Sequence, residues 1–311
     1  MSRNDTHNAD LISSRRVPPL MRIALAPLGW TLDALSLLPL RTLYPLADIL
    51  GFAACHVVRY RRRLVERNIA DSLPHLSAKE RKNTVRRFYR RLGDYFVETI
   101  KMRTMSERQM KRRMTFEGTE LVDNYLRQGR EIVIYTSHFG NWEWITSMGL
   151  WCESYPGEIF AHVYRPLKQP WFDRWWLRLR GRYNRSIPMR NVLRQLLTWR
   201  RDGRRWITGF LSDQKPSHAG TVRNVEFLGR ETPFIFGTEE LARKLGAVVM
   251  LFDTEVKSRG RYHSTIRLLT DDPASLPEGE LTRLYAANLT EQIRRSPEAY
   301  LWSHNRWRLK P

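Results

Sequence analysis

From residue 132 onward, short runs of β-branched and aromatic residues alternate with amphipathic stretches. The runs Ile132–Thr136, Ile159–Tyr164 and Trp206–Leu211 read as strands. Ala247–Val256 and Tyr262–Leu269 form a hairpin across Lys257–Gly260. Between and after them, Trp142–Trp151, Pro170–Arg182, Asn191–Arg201, Thr238–Leu245 and Glu280–Ser296 keep helical spacing. Met114 to Asn124 reads as a short strand followed by a helix start. Strands and helices that alternate in this way bury their apolar faces by stacking helices on a sheet. The expectation is an α/β domain, 61–311, built on a mixed sheet flanked by helices. Its helical lead-in, 61–115, contains the amphipathic helix 77–102. Ser77 and Glu80 form a capping box there, and Val85, Phe88, Tyr89, Leu92, Phe96 and Ile100 share one face.

Residues 1–60 have a different character. A polar tail, 1–17, ends in Ser14, Arg15 and Arg16; from Leu20 to Val58 the chain is apolar. The apolar block starts too late for an ordinary secretory leader and has no small-residue cleavage site. Its longest stretch, Ile23 to Leu40, carries Pro27, Asp33 and Pro39, a poor single span. Arginines flank both ends: Arg15, Arg16 and Arg22 before, Arg59, Arg61, Arg62 and Arg63 after. Positive charge on both sides fits a segment whose ends share the cytoplasmic face. The expectation is a membrane-associating helical region, as a hairpin or as helices lying in the interface; the alternative is a buried helical pair in a soluble core.

Charge narrows the class of partner. Fifty-three Lys and Arg stand against 32 Asp and Glu, a net +21. Such a surface attracts nucleic acid, anionic membrane, phosphorylated lipid or an acidic protein. The run WFDRWWLRLRGRYNR, 171–185, mixes Trp with Arg and suits a lipid headgroup interface. It could also stack on single-stranded nucleic acid, but the apolar N-terminal block has no purpose in such a protein. The two cysteines, Cys55 and Cys152, form no CxxC pair, and the eight His lack metal-ligand spacing. No metal or cofactor is expected.

One stretch carries chemistry: EIVIYTSHFGNWEWITSM, 131–148. A match to H-x-x-x-x-[DE] is cheap, since eight His and 32 acids in 311 residues produce about one by chance. Two occur. His75/Glu80 is explained by the capping box. His138/Glu143 follows a strand. On one continuous helix the pair would lie about 140° apart and could not meet. With His138 in a loop, Gly140 at the bend and Asn141 as N-cap, Glu143 falls in the first helical turn. The helix dipole favours its ionised form there. A His at the carboxyl end of a strand is well placed for general-base work, and equally for a plain hydrogen bond.

SHFGNWEW resembles the H-x-x-x-x-[DE] block of the lipid A biosynthesis lauroyl/myristoyl acyltransferases, in the lysophospholipid acyltransferase superfamily. VYRPLKQPWFD (163–173), ITGFLSDQKP (207–216) and PEAYLWSHNRW (297–307) resemble three further blocks in order, and VRRFYRRLGDYFVETI resembles the helix ahead of the first. The resemblance runs from about Leu20 to the C-terminus. It implies a glycerolphosphate-acyltransferase-like fold and transfer of an acyl chain from a thioester, on acyl carrier protein or coenzyme A, to a hydroxyl. His138 would be the general base. Glu143 would hold the acceptor or help set the imidazole, and Asp213 would orient and charge His138. Arg165 would contact a phosphate or the thioester side, with Asn141, Trp142, Tyr164 and Gln214 as further substrate contacts. Backbone amides around Gly140 are candidate oxyanion donors. Phe227–Gly229 with Thr232–Phe234 resembles the acyl-pocket segment. Trp302, His304 and Arg306 match the closing signature, with structural roles.

The expectation is an acyltransferase at the cytoplasmic face of the inner membrane, acting on an anionic lipid A precursor. The rivals are another glycolipid, lysophospholipid or ornithine lipid as acceptor, or a non-catalytic basic binding protein. No nucleic-acid partner is expected.

Overall fold

The computed structural model describes residues 16–216 and 221–307; the polar tail Met1–Arg15 lies outside them. Two N-terminal helices, α1 (Pro19–Leu37) and α2 (Leu40–Phe52), meet at Leu38–Pro39, and a π-helical turn, Ala53–Val57, closes the second. Then come α3 (Arg62–Ser72), α4 (Ala78–Met102), α5 (Glu107–Arg113), β1 (Met114–Glu117), α6 (Thr119–Arg127) and β2 (Ile132–Thr136). The chain continues through α7 (Trp142–Ile145), β3 (Ile159–Tyr164), α8 (Pro170–Arg180), β4 (Arg185–Pro188), α9 (Val192–Arg201) and β5 (Trp206–Leu211). A hairpin of β6 (Val222–Phe227) and β7 (Arg230–Ile235) precedes α10 (Gly237–Leu245), β8 (Val248–Ser258), β9 (Arg261–Thr270) and α11 (Glu280–Arg295).

Seven strands form one sheet in the order β1-β9-β8-β2-β5-β3-β4. All neighbours run parallel except β8 and β9, which pair antiparallel, so the sheet is mixed. Alternation along each strand sends its side chains to two cores. Val133, Tyr135, Val249 and Leu251 face one, with Leu196 of α9, Ala242 of α10 and Leu289 of α11. Ile132, Ile134, Val248 and Met250 face the other, with Val97 of α4, Val122 of α6 and Trp144 of α7. Both faces of the central strands are covered, which is why these runs are apolar without alternation. Each such side chain stabilises the fold by about 1.5–3 kcal/mol.

Long α4 opens at the capping box foreseen between Ser77 and Glu80 and carries α2 on its back. The contact is backbone-close. A Cβ on Gly93 would lie 2.2 Å from the Ala47 carbonyl, and one on Gly51 would lie 2.6 Å from that of Tyr89. Helix α2 accordingly buries Leu40, Leu43, Ala47 and Gly51. Helix α1 behaves differently: Leu20 is 82% exposed, Ile23 73%, Trp30 71% and Leu37 71%. By length and composition α1 can cross a membrane, despite Pro27.

Strands β4, β6 and β7 carry no sequence signal of the kind used above. Arg185–Pro188 is four residues long and half polar, and β6 is exposed along most of its length. Phe227 and Phe234, at the ends of the β6–β7 hairpin, pack edge to face at 5.3 Å beneath Trp307.

Candidate active site

The register across the sheet sets Thr136 of β2 opposite Leu211 of β5. Two residues past each strand end come His138 and Asp213, and the shared carboxyl edge brings them together. His138 Nδ1 lies 2.7 Å from Asp213 Oδ1, and the His138 amide donates to Oδ2 at 3.1 Å. The carboxylate is 2% exposed and the imidazole 13%. Burial alone would raise the Asp213 carboxyl; the charge of His138 and its hydrogen bonds outweigh that and hold it below the ordinary value. An ionised Asp213 can only accept, so the proton sits on Nδ1 and the lone pair on Nε2. Gln214 Nε2 donates to that lone pair at 3.0 Å.

Glu143 lies elsewhere. It sits in the first turn of α7, capped by Asn141, whose Oδ1 accepts from the Trp144 amide at 3.3 Å. Its carboxylate faces Arg180, at the end of α8, in a bidentate pair: Nε to Oε2 at 2.7 Å and Nη2 to Oε1 at 2.6 Å. Burial pushes Glu143 up, but Arg180 pulls it further down, so it stays ionised. The Tyr95 hydroxyl also reaches it, at 3.4 Å. The carboxylate touching the imidazole is therefore Asp213, and the group touching Glu143 is Arg180. Sequence reasoning missed Arg180 and read its whole run, 171–185, as a headgroup surface. Three of those arginines turn to the protein instead: Arg180 to Glu143, Arg182 to the carbonyls of Met102 and Met105, and buried Arg185 to the face of Trp199. A Trp–Arg run carries no mark of which cations turn in.

Trp142 stacks on Tyr95 of α4 at 4.1 Å and meets the His138 ring edge-on at 5.1 Å. Behind it, Phe88, Leu92, Tyr95, Val256 and Leu301 line an apolar crevice. It holds about 20 Å³, room for one water and not for a chain. A wider groove of about 890 Å³ runs between β6 and α11, but no catalytic candidate lines it.

Gly140 makes the bend, with φ +63°. Its N–H donates to the Ala299 carbonyl at 2.9 Å, so this amide is not an oxyanion donor, contrary to the expectation. Asn141 is consumed internally: besides its cap, its Nδ2 donates to Glu98 at 2.9 Å. Tyr164 is buried at the end of β3, and Arg165, next in line, is exposed at the same sheet edge. His162 of β3 is neutral, driven down to about 3 by burial and the nearby Arg180. Its ring is fixed by Asn184 at 2.7 Å and Ser186 at 3.2 Å.

The closing signature braces the site. His304 Nε2 accepts from the Lys215 amide at 2.9 Å, which anchors the loop after Asp213. Burial pushes His304 down to about 4. Arg306, 1% exposed, lies over Phe234 at 4.5 Å. Phe139 bridges to Tyr300, so the C-terminal segment holds the His138 loop from behind.

A buried carboxylate–imidazole pair at the carboxyl edge of a mixed α/β sheet is an arrangement that enzymes use. The comparisons give the particular chemistry. Residues 20–309 match the model of the bacterial lipid A biosynthesis acyltransferase family, and the chain belongs to that family. A lipid A biosynthesis lauroyltransferase of Escherichia coli (strain K12) is 27% identical over 278 residues, covering 88% of each chain. A lipid A biosynthesis palmitoleoyltransferase of the same organism is 26% identical over 280 residues, 88% of this chain and 87% of its own. A lipid A biosynthesis acyltransferase of Shigella flexneri has the same identity and coverage.

Proposed function

We propose that this acyltransferase moves a fatty acyl chain from an acyl carrier protein thioester to a hydroxyl of a lipid A precursor, with His138 as general base. The observation that carries the reading is the His138–Asp213 contact, which fixes the tautomer with a lone pair on Nε2. The acceptor hydroxyl displaces the Gln214 amide and gives its proton to Nε2. Its oxygen attacks the thioester carbonyl, the C–S bond breaks, and the thiolate leaves with a proton returned from the imidazolium. Asp213 stabilises that imidazolium. The charged Glu143–Arg180 pair holds the first turn of α7, and with it Trp142, against the imidazole. Arg165, exposed on the same edge, meets the anionic end of donor or acceptor.

The exposed apolar side chains of α1 support a seat in a membrane, which we take as the inner membrane with the sheet edge turned to the cytoplasm. The excess of basic residues favours both an acidic carrier protein and a phosphorylated acceptor.

The test is acyl transfer with purified protein, comparing carrier-protein and coenzyme A thioesters, alongside mass spectrometry of lipid A from a deletion strain. The strain is expected to lose one acyl chain. His138→Ala is expected to lose transfer while still sedimenting with vesicles. Unchanged lipid A, or full transfer by His138→Ala, refutes the proposal.

A further inference from the structure

We infer that Glu98, on α4, is a positioning residue for acyl transfer: by accepting hydrogen bonds from Asn141, Tyr262 and Tyr44 it fixes the bend between β2 and α7 that aims His138 and Trp142. The inference rests on the acyl-transfer reading above.

Glu98 is 0% exposed. Its Oε2 accepts from Asn141 Nδ2 at 2.9 Å and from the Tyr262 hydroxyl at 2.8 Å. Its Oε1 accepts from the Tyr44 hydroxyl at 3.1 Å. Its main-chain carbonyl takes the Trp144 indole N–H at 3.3 Å. Four elements are tied to one residue: α2, the His138 loop, α7 and β9. One turn earlier on the same helix, Tyr95 stacks on Trp142. The loop therefore has no independent freedom. Asn141 uses one end of its amide on Glu98 and the other to cap α7, and Gly140 has the Tyr262 ring 3.2 Å from where a Cβ would stand.

The donor–acceptor count makes the ionised form the one that fits. Three side chains face the carboxylate and all three donate; a carboxylate accepts all three. A protonated Glu98 must donate to one of them. Turning the Asn141 amide over would satisfy that proton and remove the cap on α7; turning a tyrosine would reverse its bond, so that the phenol oxygen accepts and its hydrogen loses Glu98 as partner. No cation bonds Glu98 among the described residues. Asp94 lies on its own helix, with Arg259 from the β8–β9 turn bonded to it. Arg91 of α4 faces Tyr262, and Arg113 of α5 faces Tyr44. Burial pushes Glu98 up to about 7, against the bonds from Asn141 and Tyr262, with Asp94 adding to the rise. The folded protein thus changes this proton in the neutral range. As pH falls, protonation of Glu98 removes activity through the bend.

The experiment measures kcat and KM against pH for wild type and Glu98→Gln, an isosteric mimic of the protonated form. Wild type is expected to lose kcat as pH falls through neutral. Glu98→Gln is expected to lose kcat on the order of 10- to 100-fold, the effect of a small misalignment of the base, with KM unchanged and an acid-side slope shallower than in wild type. Tyr262→Phe removes one donor to the charged form, and its profile is expected to shift to higher pH. If Glu98→Gln does not fold, that shift decides the question. Wild-type kcat and slope in Glu98→Gln, or an unmoved Tyr262→Phe profile, overturns the role of Glu98 while transfer by wild type leaves the proposed function standing. A wild-type protein that transfers no acyl group overturns both.

Discussion

Asp213→Asn isolates the electrostatic part of the site. The side chain keeps its size, and the loop keeps its brace from His304. What disappears is a negative charge against the imidazole, with Nδ1 and Oδ1 2.7 Å apart and both groups largely buried. Taking the two charge centres as about 4 Å apart at an effective dielectric of about 20, the carboxylate stabilises the imidazolium by about 4 kcal/mol. That is roughly a thousandfold in rate if the transition state carries the full charge, and about thirtyfold if it carries half. The amide adds an error of direction. Its NH₂ faces Nδ1 and favours the tautomer with a proton on Nε2, where the lone pair is needed. The expected outcome is a kcat lower by about 10²–10³, with KM for the acceptor unchanged and the thermal unfolding midpoint near wild type. The assay is transfer from an acyl thioester to a phosphorylated glycolipid in mixed micelles, read by mass spectrometry. A variant within about threefold of wild-type kcat would show that the pair does not prepare the base, and the argument from its geometry would fail.

Arg180→Ala strips the only cation bonded to Glu143 among the described residues and leaves a buried charge alone. A loss of about 3–5 kcal/mol in unfolding free energy is expected, visible as a lowered denaturant midpoint with little transfer remaining; normal stability would mean that the pair is not buried as described. Gly140→Ala puts a methyl 3.2 Å from the Tyr262 ring at φ +63°, and a destabilisation of about 1–3 kcal/mol is expected from chemical unfolding. His162 binds its proton in the unfolded chain below about 6.5 but in the folded one only near 3. Between those values the unfolded state holds more protons, so stability falls with acid, by about 1.4 kcal/mol per pH unit. His162→Gln is expected to flatten that part of the stability–pH curve; an identical slope in both proteins would refute the assignment.

Much of this could be read along the chain. Capping box, strand runs and hairpin are local features, and each forms where its own residues favour it. The arrangement His138–Gly140–Asn141–Glu143 was legible for the same reason, since a loop, a bend, a cap and a first turn need only neighbours. Apart from Asp213, which the family resemblance set beside His138, the partners of these groups were not. Arg180 is 37 residues from Glu143 and Glu98 is 43 from Asn141; nothing in the intervening sequence marks either as facing inward. The amide of Gly140 looked free because its acceptor, Ala299, arrives from the far end of the chain.

Sequence alone determined the strand–helix alternation, the apolar start, the excess of basic residues and the position of a His at a strand end. These depend on propensity, periodicity and charge, which act over a few residues. Only the folded molecule decided that Asp213 rather than Glu143 touches the imidazole, that Arg180 secures Glu143, and that Glu98 ties the bend down. Hydrogen bonds reach about 3 Å, and which distant residues come that close is settled by how helices and strands pack.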